Sequence, residues 1–565
     1  MNKEIIFSDL YEISAEKDRI STDNQKDKWR SVSYKTGICE GKMLTTPEWS
    51  YPEKVTLNLN LQGTYQIYLG LPRFQTQNSL YVKLTDDICY SNVRGAVKRI
   101  KNWRDEEFIE EVYWKTADLT GQALSIAKSD LSVHAATSIS WIRCVPADEK
   151  DLCDKTPVKC MQMHIDSDAY FEDFIETDDD YLARIYPMKD SNAEFVSYEV
   201  SFDYDRMEKP ESYDGFTREF NIHEKGIYAF HEKKDIVYNK IIDFSHKSGF
   251  DIYAAYRMEV GNFTFPMTRY GINTKFPCTH EAFYCKTRTG TTVSACSYAY
   301  DEVQDYVIES LKNAVNYGFD GVTLIYHRGL HIAFEKPVVE RFKKLYPDID
   351  PCVLPFKDER LHNVLCGFMN EFMQKLRNAL GNKKINVILD YSLETSKYLG
   401  LDAEYWAKNG LVDKVSQGDM ETFEDLEDLM QDENPEYIDL DKYNKALCER
   451  TVVKRSFATN VPKVLENIPK YQKLKEYGVD VYCVIPWVHT IQPEEYDEII
   501  EQMKKAGAEK FHSWNTNHLV WDLPEWYVVS KIGNARDDSI VRRKFYRVLS
   551  LNGHDISQFY HNWKG

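Results

Sequence analysis

Short apolar runs in this 565-residue chain end repeatedly in side chains that can move a proton or hold a charge. MHIDSDAY ends on Asp166 and Asp168, YEVSFDYD on Glu199, Asp203 and Asp205, AYRMEV on Arg257 and Glu259, and IYHRG on His327 and Arg328. Further on, VILDYS presents Asp390, SQGDMET presents Gln417, Asp419 and Glu421, IPWVHT presents Trp487 and His489, and FHSWNTN presents His512, Trp514 and Asn515. Two carboxyl groups can serve as acid and base, arginines fork onto hydroxyls or carboxylates, and aromatic faces stack on flat ligands.

Each candidate has a plainer reading beside the chemical one. Asp390 closes the apolar run NVILDY, where a desolvated carboxylate needs partners, so catalysis competes with ion pairing or helix capping. Asp419 and Glu421 follow VSQG in a loop, where acidic residues are commonly just solvated; Glu335 sits in the loop after IYHRG. Arg257 and Arg328 either contact substrate or order the rim through salt bridges, and Trp487 and Trp514 either form a stacking wall or pack. His327, His489 and His512 end three separate runs and could hold a metal with an open position, but no HExxH or fixed-spacing pair accompanies them. Hydrogen bonding to substrate is the favoured role for these imidazoles, and neither metal nor cofactor is expected. Glu199 lies late in FVSYEVSF and points inward provided Phe195 and Ser197 do not share its face.

The elements that must position these residues change character along the chain. From about Lys54 to Pro146 the pattern alternates with period two (VTLNLNL, TYQIYLGL, LYVKL, ISWIRCV) between polar turns, which predicts an antiparallel β-sandwich over residues 1–155. Trp141 and Tyr68 are expected to pack in its core rather than bind a sugar.

After the charged connection ADEKDLCDKTP, helical and strand periods alternate, predicting parallel βαβ units over residues 156–535. In YDEVQDYVIESLKNAVNYGFDGVTLIYHRG, Val303, Tyr306, Val307, Leu311, Ala314 and Val315 share a helical face, Asp301 is placed to cap the start, and Gly318 to end the helix. Gly249 and Gly507 take the same stop position in two further units. Eight strands are expected to start near Cys160, Glu194, Phe250, Asp320, Ile385, Val412, Val481 and Lys510, with TVVKRSF near Val452 assigned to a helical insertion. Eight such units predict an α/β fold, a (β/α)8 TIM barrel with its active site at the C-terminal strand ends. A doubly wound open sheet fits less well, because no GxGxxG follows a strand. Residues 536–565 form a strand-like extension that packs on the sandwich or caps the barrel.

A single core does not grow to this length, so two globular units are required. A net charge of -19 without a basic, aromatic-interleaved patch argues against nucleic acid as a partner. No apolar run approaches the roughly 20 residues of a membrane span, and MNKEIIFSDLYEISAEKDR lacks the features of a signal peptide. Twelve cysteines without CxxC pairs fit a reducing compartment. A cytoplasmic protein with no membrane partner is expected, and a homo-oligomer is compatible with the chain.

The segments YGFDGVTLIYHRG, FEKPVVERFKKLYPDIDP leading into DERLHNVLCGFMNEFMQKLRNAL, NGLVDKVSQGD and AGAEKFHSWN resemble the family-10-like glycosyl hydrolase group of (β/α)8 proteins. The resemblance implies a glycoside hydrolase acting on a small oligosaccharide or glycoside, and the strand-end residues suit a sugar, with two carboxyls to cleave its glycosidic bond. Members often carry an Asp in the fourth strand where this chain has Ile325, so the acid/base falls to Glu335, Asp390 or Asp419, with Glu421 as a further carboxylate. Glu199, Arg257, His327, Arg328, Trp487, His489, His512, Trp514 and Asn515 are the expected substrate contacts. Two rival expectations stand beside it: a metal-dependent lyase or isomerase using the strand-end histidines, and a carbohydrate-binding protein that has lost its acid.

Overall fold

The computed structural model describes residues 3–47, 50, 52–73, 77–95, 108–128, 135–148, 158–166, 175–200, 218–260, 276–277, 280–327, 331–355, 358–418, 461–486, 493–534 and 536–555. Within them, eight parallel strands close into a barrel: β1 (Met161–Ile165), β2 (Ala193–Glu199), β3 (Asp251–Arg257), β4 (Gly321–Ile325), β5 (Lys384–Leu389), β6 (Lys414–Gln417), β7 (Asp480–Val484) and β8 (Lys510–Ser513). Pairing of Met161 with Phe511 and of Gln162 with His512 closes the ring. All eight begin within two residues of the starts expected from sequence, because each is a short apolar run; Gly249, Gly318 and Gly507, the helix stops before three of them, all have positive φ. The candidate strand near Val452 lies outside the described residues.

Helices follow most strands: α1 (Arg218–Lys247), α2 (Asp301–Asn316), α3 (Lys336–Leu345), α4 (Glu359–Leu380), α5 (Leu393–Tyr398), α6 (Ala403–Lys408), α7 (Val461–Gln472), α8 (Glu494–Lys505), and, after β8, α9 (Thr516–Leu519) and α10 (Leu523–Ser530). Between β1 and β2 the described residues contain only 3-10 turns, Asp180–Leu182 and Tyr186–Met188. Asp301 does not cap α2. Tyr300 takes the cap position without a side-chain bond, and Asp301 instead accepts from Lys375 at 2.6 Å.

The barrel interior is filled in layers. At the N-terminal pole, Lys414 and Lys510 neutralise Glu194 and Asp480 at 3.0–3.4 Å. Above them Phe195 packs on Tyr253 and Tyr482, with ring centroids 4.6 and 5.2 Å away. The next layer is a closed ring of five buried polar side chains. Gln162 donates to Ser197 (3.1 Å), the hydroxyls of Ser197 and Thr323 share a bond (2.7 Å), Asn386 donates to Thr323 (3.4 Å), and the Ser416 hydroxyl shares its proton between the carbonyl oxygens of Asn386 (3.0 Å) and Gln162. A ring whose members satisfy one another is what lets polar groups stay buried there.

Fourteen of the remaining strands form a separate, mainly antiparallel sheet, and the other two form the hairpin Tyr284–Lys286/Thr292–Cys296. Strands far apart along it share one core, Ile67, Leu69 and Val112 with Leu80, Val82 and Ile126, so the sheet folds over on itself as a sandwich does. Trp141 is fully buried between Tyr34 and Tyr546, and Tyr68 lies under the Arg143 guanidinium. The strand Lys544–Leu551 is an interior member of this sheet, pairing with Phe108–Asp118 on one side and Trp29–Thr36 on the other. Among the described residues no helix is long and apolar enough to cross a membrane.

Candidate functional site

Inward positions alternate along each barrel strand, and the polar ring fixes their phase: Gln162, Ser197, Thr323 and Asn386 face in, so His164, Glu199, Ile325 and Ile388 do too. Glu199 therefore shares a face with Phe195 and Ser197, the arrangement that the sequence reading treated as arguing against an inward Glu199. Here the barrel core supplies an aromatic layer for Phe195 and hydrogen-bond partners for Ser197, so one strand face carries apolar, polar and acidic residues in turn.

At the C-terminal mouth an ionic chain crosses the first three strands. Arg257 places Nε 2.7 Å from one Glu199 oxygen as an ion pair and donates from Nη2 to Asp166 (2.8 Å), and His164 Nε2 lies 3.4 Å from the other Glu199 oxygen. His164 is fully buried, Asp166 and Glu199 nearly so, while the Arg257 side chain keeps 32% exposure. The His164 ring lies flat on the Trp514 indole, centroids 3.8 Å apart and planes 8° from parallel. His327 meets the same indole edge-on at 4.3 Å, and Ala255, Ile325 and Ile388 pack with Trp514 in the barrel interior.

Trp514 is thus a buried plug with one face taken by an imidazole, the packing role that the sequence leaves open beside a stacking wall. His512 approaches a backbone carbonyl, Gln417 O, through Nδ1 at 3.0 Å. A carbonyl only accepts, so Nδ1 carries the proton and Nε2 is a lone-pair acceptor, buried and without a hydrogen-bond partner among the described residues. Burial, with His164 nearby, lowers the His512 pKa to about 3.

Asp390, one residue past β5, is fully buried on the same inward phase as Asn386 and Ile388. Tyr471 from α7 donates to its backbone carbonyl, pinning that strand end. Gly418, one residue past β6, keeps the mouth open to His327, since a Cβ there would strike the Leu389 carbonyl and approach the His327 ring at 3.2 Å. Gln417 turns outward and donates to the carbonyls of Tyr391 and Val464, both at 3.2 Å. Asn515, in the turn after β8, has a left-handed backbone (φ 49°) and a buried side-chain oxygen without a hydrogen-bond partner among the described residues.

Glu335 is differently engaged. It stands just before α3, where its carboxylate accepts from the Ser297 hydroxyl, from Ala333 N–H (2.9 Å) and from Lys286 N–H (3.3 Å). Those bonds tie the hairpin Tyr284–Lys286/Thr292–Cys296 to the loop after β4. Arg328, Asp419, Glu421, Trp487 and His489 lie outside the described residues. Among the described residues no group of three or more His, Cys, Asp or Glu side chains is arranged to hold a metal ion.

Sequence reading passed over His164, because it sits inside the run MQMHI rather than beyond it. The signal was present: Gln162, His164 and Asp166 are three polar residues at period two in an otherwise apolar strand.

No family model matches the chain, and no curated protein matches it. Among solved structures, the glycoside hydrolase domain of PgaB (BpsB) from Bordetella bronchiseptica aligns with 12% identity over 67% of this chain and 100% of that one, at a TM-score of 0.38. An α-galactosidase from Thermus thermophilus aligns with 11% identity over 89% and 94% of the two chains, at a TM-score of 0.33. The glycoside hydrolase domain of PelA from Pseudomonas aeruginosa aligns with 8% identity over 63% and 95%, at a TM-score of 0.30. Likeness of this degree assigns neither family nor substrate.

Proposed function

We propose that the chain is a glycoside hydrolase acting on a small oligosaccharide or glycoside at the C-terminal mouth of its barrel. The observation that carries this reading is convergence: Asp166, Glu199, Arg257, His327, Asp390 and His512 stand at the C-terminal ends of six different strands of one barrel. Carboxyl groups on different walls can act as acid and base or nucleophile, while Arg257 and the neutral His512 ring orient hydroxyls. The resemblance to the family-10-like glycosyl hydrolase group points the same way. Of the carboxyls expected to act, Asp390 stands at the mouth, Asp419 and Glu421 follow β6 directly in sequence, and Glu335 is occupied in tying the hairpin.

The test is a screen of aryl glycosides and oligosaccharides with wild type, Asp390→Asn and Asp419→Asn. Asp390→Asn is expected to lower kcat by about 10²–10⁴-fold. Undiminished turnover in both variants would sink the site assignment.

One observation favours a second reading, a carbohydrate-binding protein without turnover. Ile325 fills the inward fourth-strand position, where relatives of the resembled group often carry an Asp, and is packed against Trp514. Sugar binding that survives Asp390→Asn, with no hydrolysis by wild type, supports that alternative.

A further inference from the structure

At the mouth, Glu199 is approached from two sides. Arg257 on β3 fixes one oxygen at 2.7 Å, and His164 on β1 stands 3.4 Å from the other. His164 itself is immobilised by face-to-face stacking on Trp514 from β8. Among the described residues, the charged and titratable groups near Glu199 include His164 from β1, Asp166 just past it and Arg257 from β3, with His512 from β8 beyond His164. Burying an imidazole beside a carboxylate and a guanidinium costs solvation that a purely apolar layer would avoid, and such arrangements concentrate at working sites.

We propose that Glu199 is the second carboxylate of the hydrolysis and that His164 is its positioning residue, holding the carboxylate from below while Arg257 holds it from the side. The proposal rests on the glycosidase reading and gives it a stereochemistry. Glu199 on β2 and Asp390 on β5 stand three places apart in a ring of eight strands, on nearly opposite walls. Inversion through a water held between them requires a carboxyl separation of roughly 6.5–9.5 Å. Glu199 takes a proton from that water as the water oxygen bonds to the anomeric carbon. The glycosidic C–O bond breaks, and the departing oxygen takes the proton of Asp390. One water is added across the bond, and the two carboxyls end with their protonation exchanged, to be restored by solvent.

The experiment uses the full chain and any aryl glycoside turned over in the screen. Proton NMR of early product is expected to show the inverted anomer. Glu199→Gln should lower kcat by about 10³-fold. His164→Ala should lower kcat by roughly tenfold to a hundredfold through misplacement of Glu199, with KM little changed. It should also move the acidic limb of kcat/KM upward, because the polar ring that faces one carboxylate oxygen at 3.4 Å is lost. His164→Gln, which returns a polar group near the same place, should recover part of both effects and guards against loss of fold in the alanine variant. Retention of configuration, full activity in Glu199→Gln, or an unmoved acidic limb in His164→Ala would overturn the proposal.

A substrate-free arm keeps the two readings apart: in histidine-labelled protein, Glu199→Gln should shift the ring nitrogen signals of His164 and leave those of His331 in place. Unshifted His164 signals refute the positioning role whatever the activity. Shifted signals together with no turnover of any glycoside by wild type refute the hydrolase reading and the base role of Glu199, and leave the positioning contact standing.

Discussion

Imidazoles buried as neutral rings set an acid limit on this protein. Burial lowers His512 to about 3 and His331, whose Nε2 donates to the Tyr326 carbonyl, to about 4, against about 6.5 for an unfolded histidine. Between those values the unfolded chain binds protons that the folded chain refuses, so their contribution to stability is complete above about pH 6.5 and is lost as pH falls toward 4 for His331 and toward 3 for His512. His331→Gln, away from the ionic chain at the mouth, should flatten the dependence of the urea midpoint on pH over that window; an unchanged slope would contradict the neutral, buried ring. Gly418 makes a steric prediction at the same scale. Gly418→Ala should cost about 1–3 kcal/mol, because the Leu389 carbonyl against which the new methyl presses belongs to a barrel strand. Chemical types and strand-end positions at the mouth were legible in the sequence, since polar residues interrupting apolar runs stand out. His164 and the inward phase of Glu199 were not, because phase is decided by what fills the barrel beneath, and Ser197 looks solvent-facing until Gln162 and Thr323 are seen beside it.

At the scale of elements, the barrel strands were legible to within two residues, whereas the connections were read less well. Period, apolar content and a glycine stop are local properties, and β4 with α2 before it displays all three. The hairpin Tyr284–Lys286/Thr292–Cys296 has no such local signature and is held from outside, by Glu335. Removing that carboxylate leaves the Ala333 and Lys286 N–H groups and the Ser297 hydroxyl without their acceptor. Glu335→Ala should therefore cost roughly 1–3 kcal/mol for each buried donor that finds no water. Faster hydrogen exchange should be confined to the hairpin and the loop before α3, with exchange in β4 and β5 unchanged. Exchange that rises uniformly through the barrel would mean that Glu335 supports the core and not a loop.

For the whole molecule the decisive feature is one that local pattern leaves open between sandwich and barrel. The C-terminal strand Lys544–Leu551 reads correctly as a strand, but its partners lie more than four hundred residues earlier, inside the N-terminal sheet. Just before it, Arg543 is fully buried between Glu110 of that sheet (Nε, 2.6 Å) and Glu525 of α10 (2.7–2.8 Å), with all three side chains at 0% exposure. Arg94 adds a second tie, with its guanidinium 4.1 Å from the Trp521 ring just ahead of α10. The sheet is therefore completed by the end of the chain, and barrel and sheet are clamped by a guanidinium that neither unit could leave uncompensated. Arg543→Met keeps the volume but strands two buried carboxylates, a loss of about 3–5 kcal/mol. Because the lost energy lies at the junction, it should appear as lost coupling: wild type unfolding in a single calorimetric transition, Arg543→Met in two, with the sheet melting first. Adding Glu110→Gln and Glu525→Gln to the Arg543→Met variant removes the stranded charges and should restore much of the thermal midpoint without rejoining the transitions. If the triple variant regained a single transition, the clamp would owe its effect to charge burial alone, and the coupling would have to come from the inserted strand.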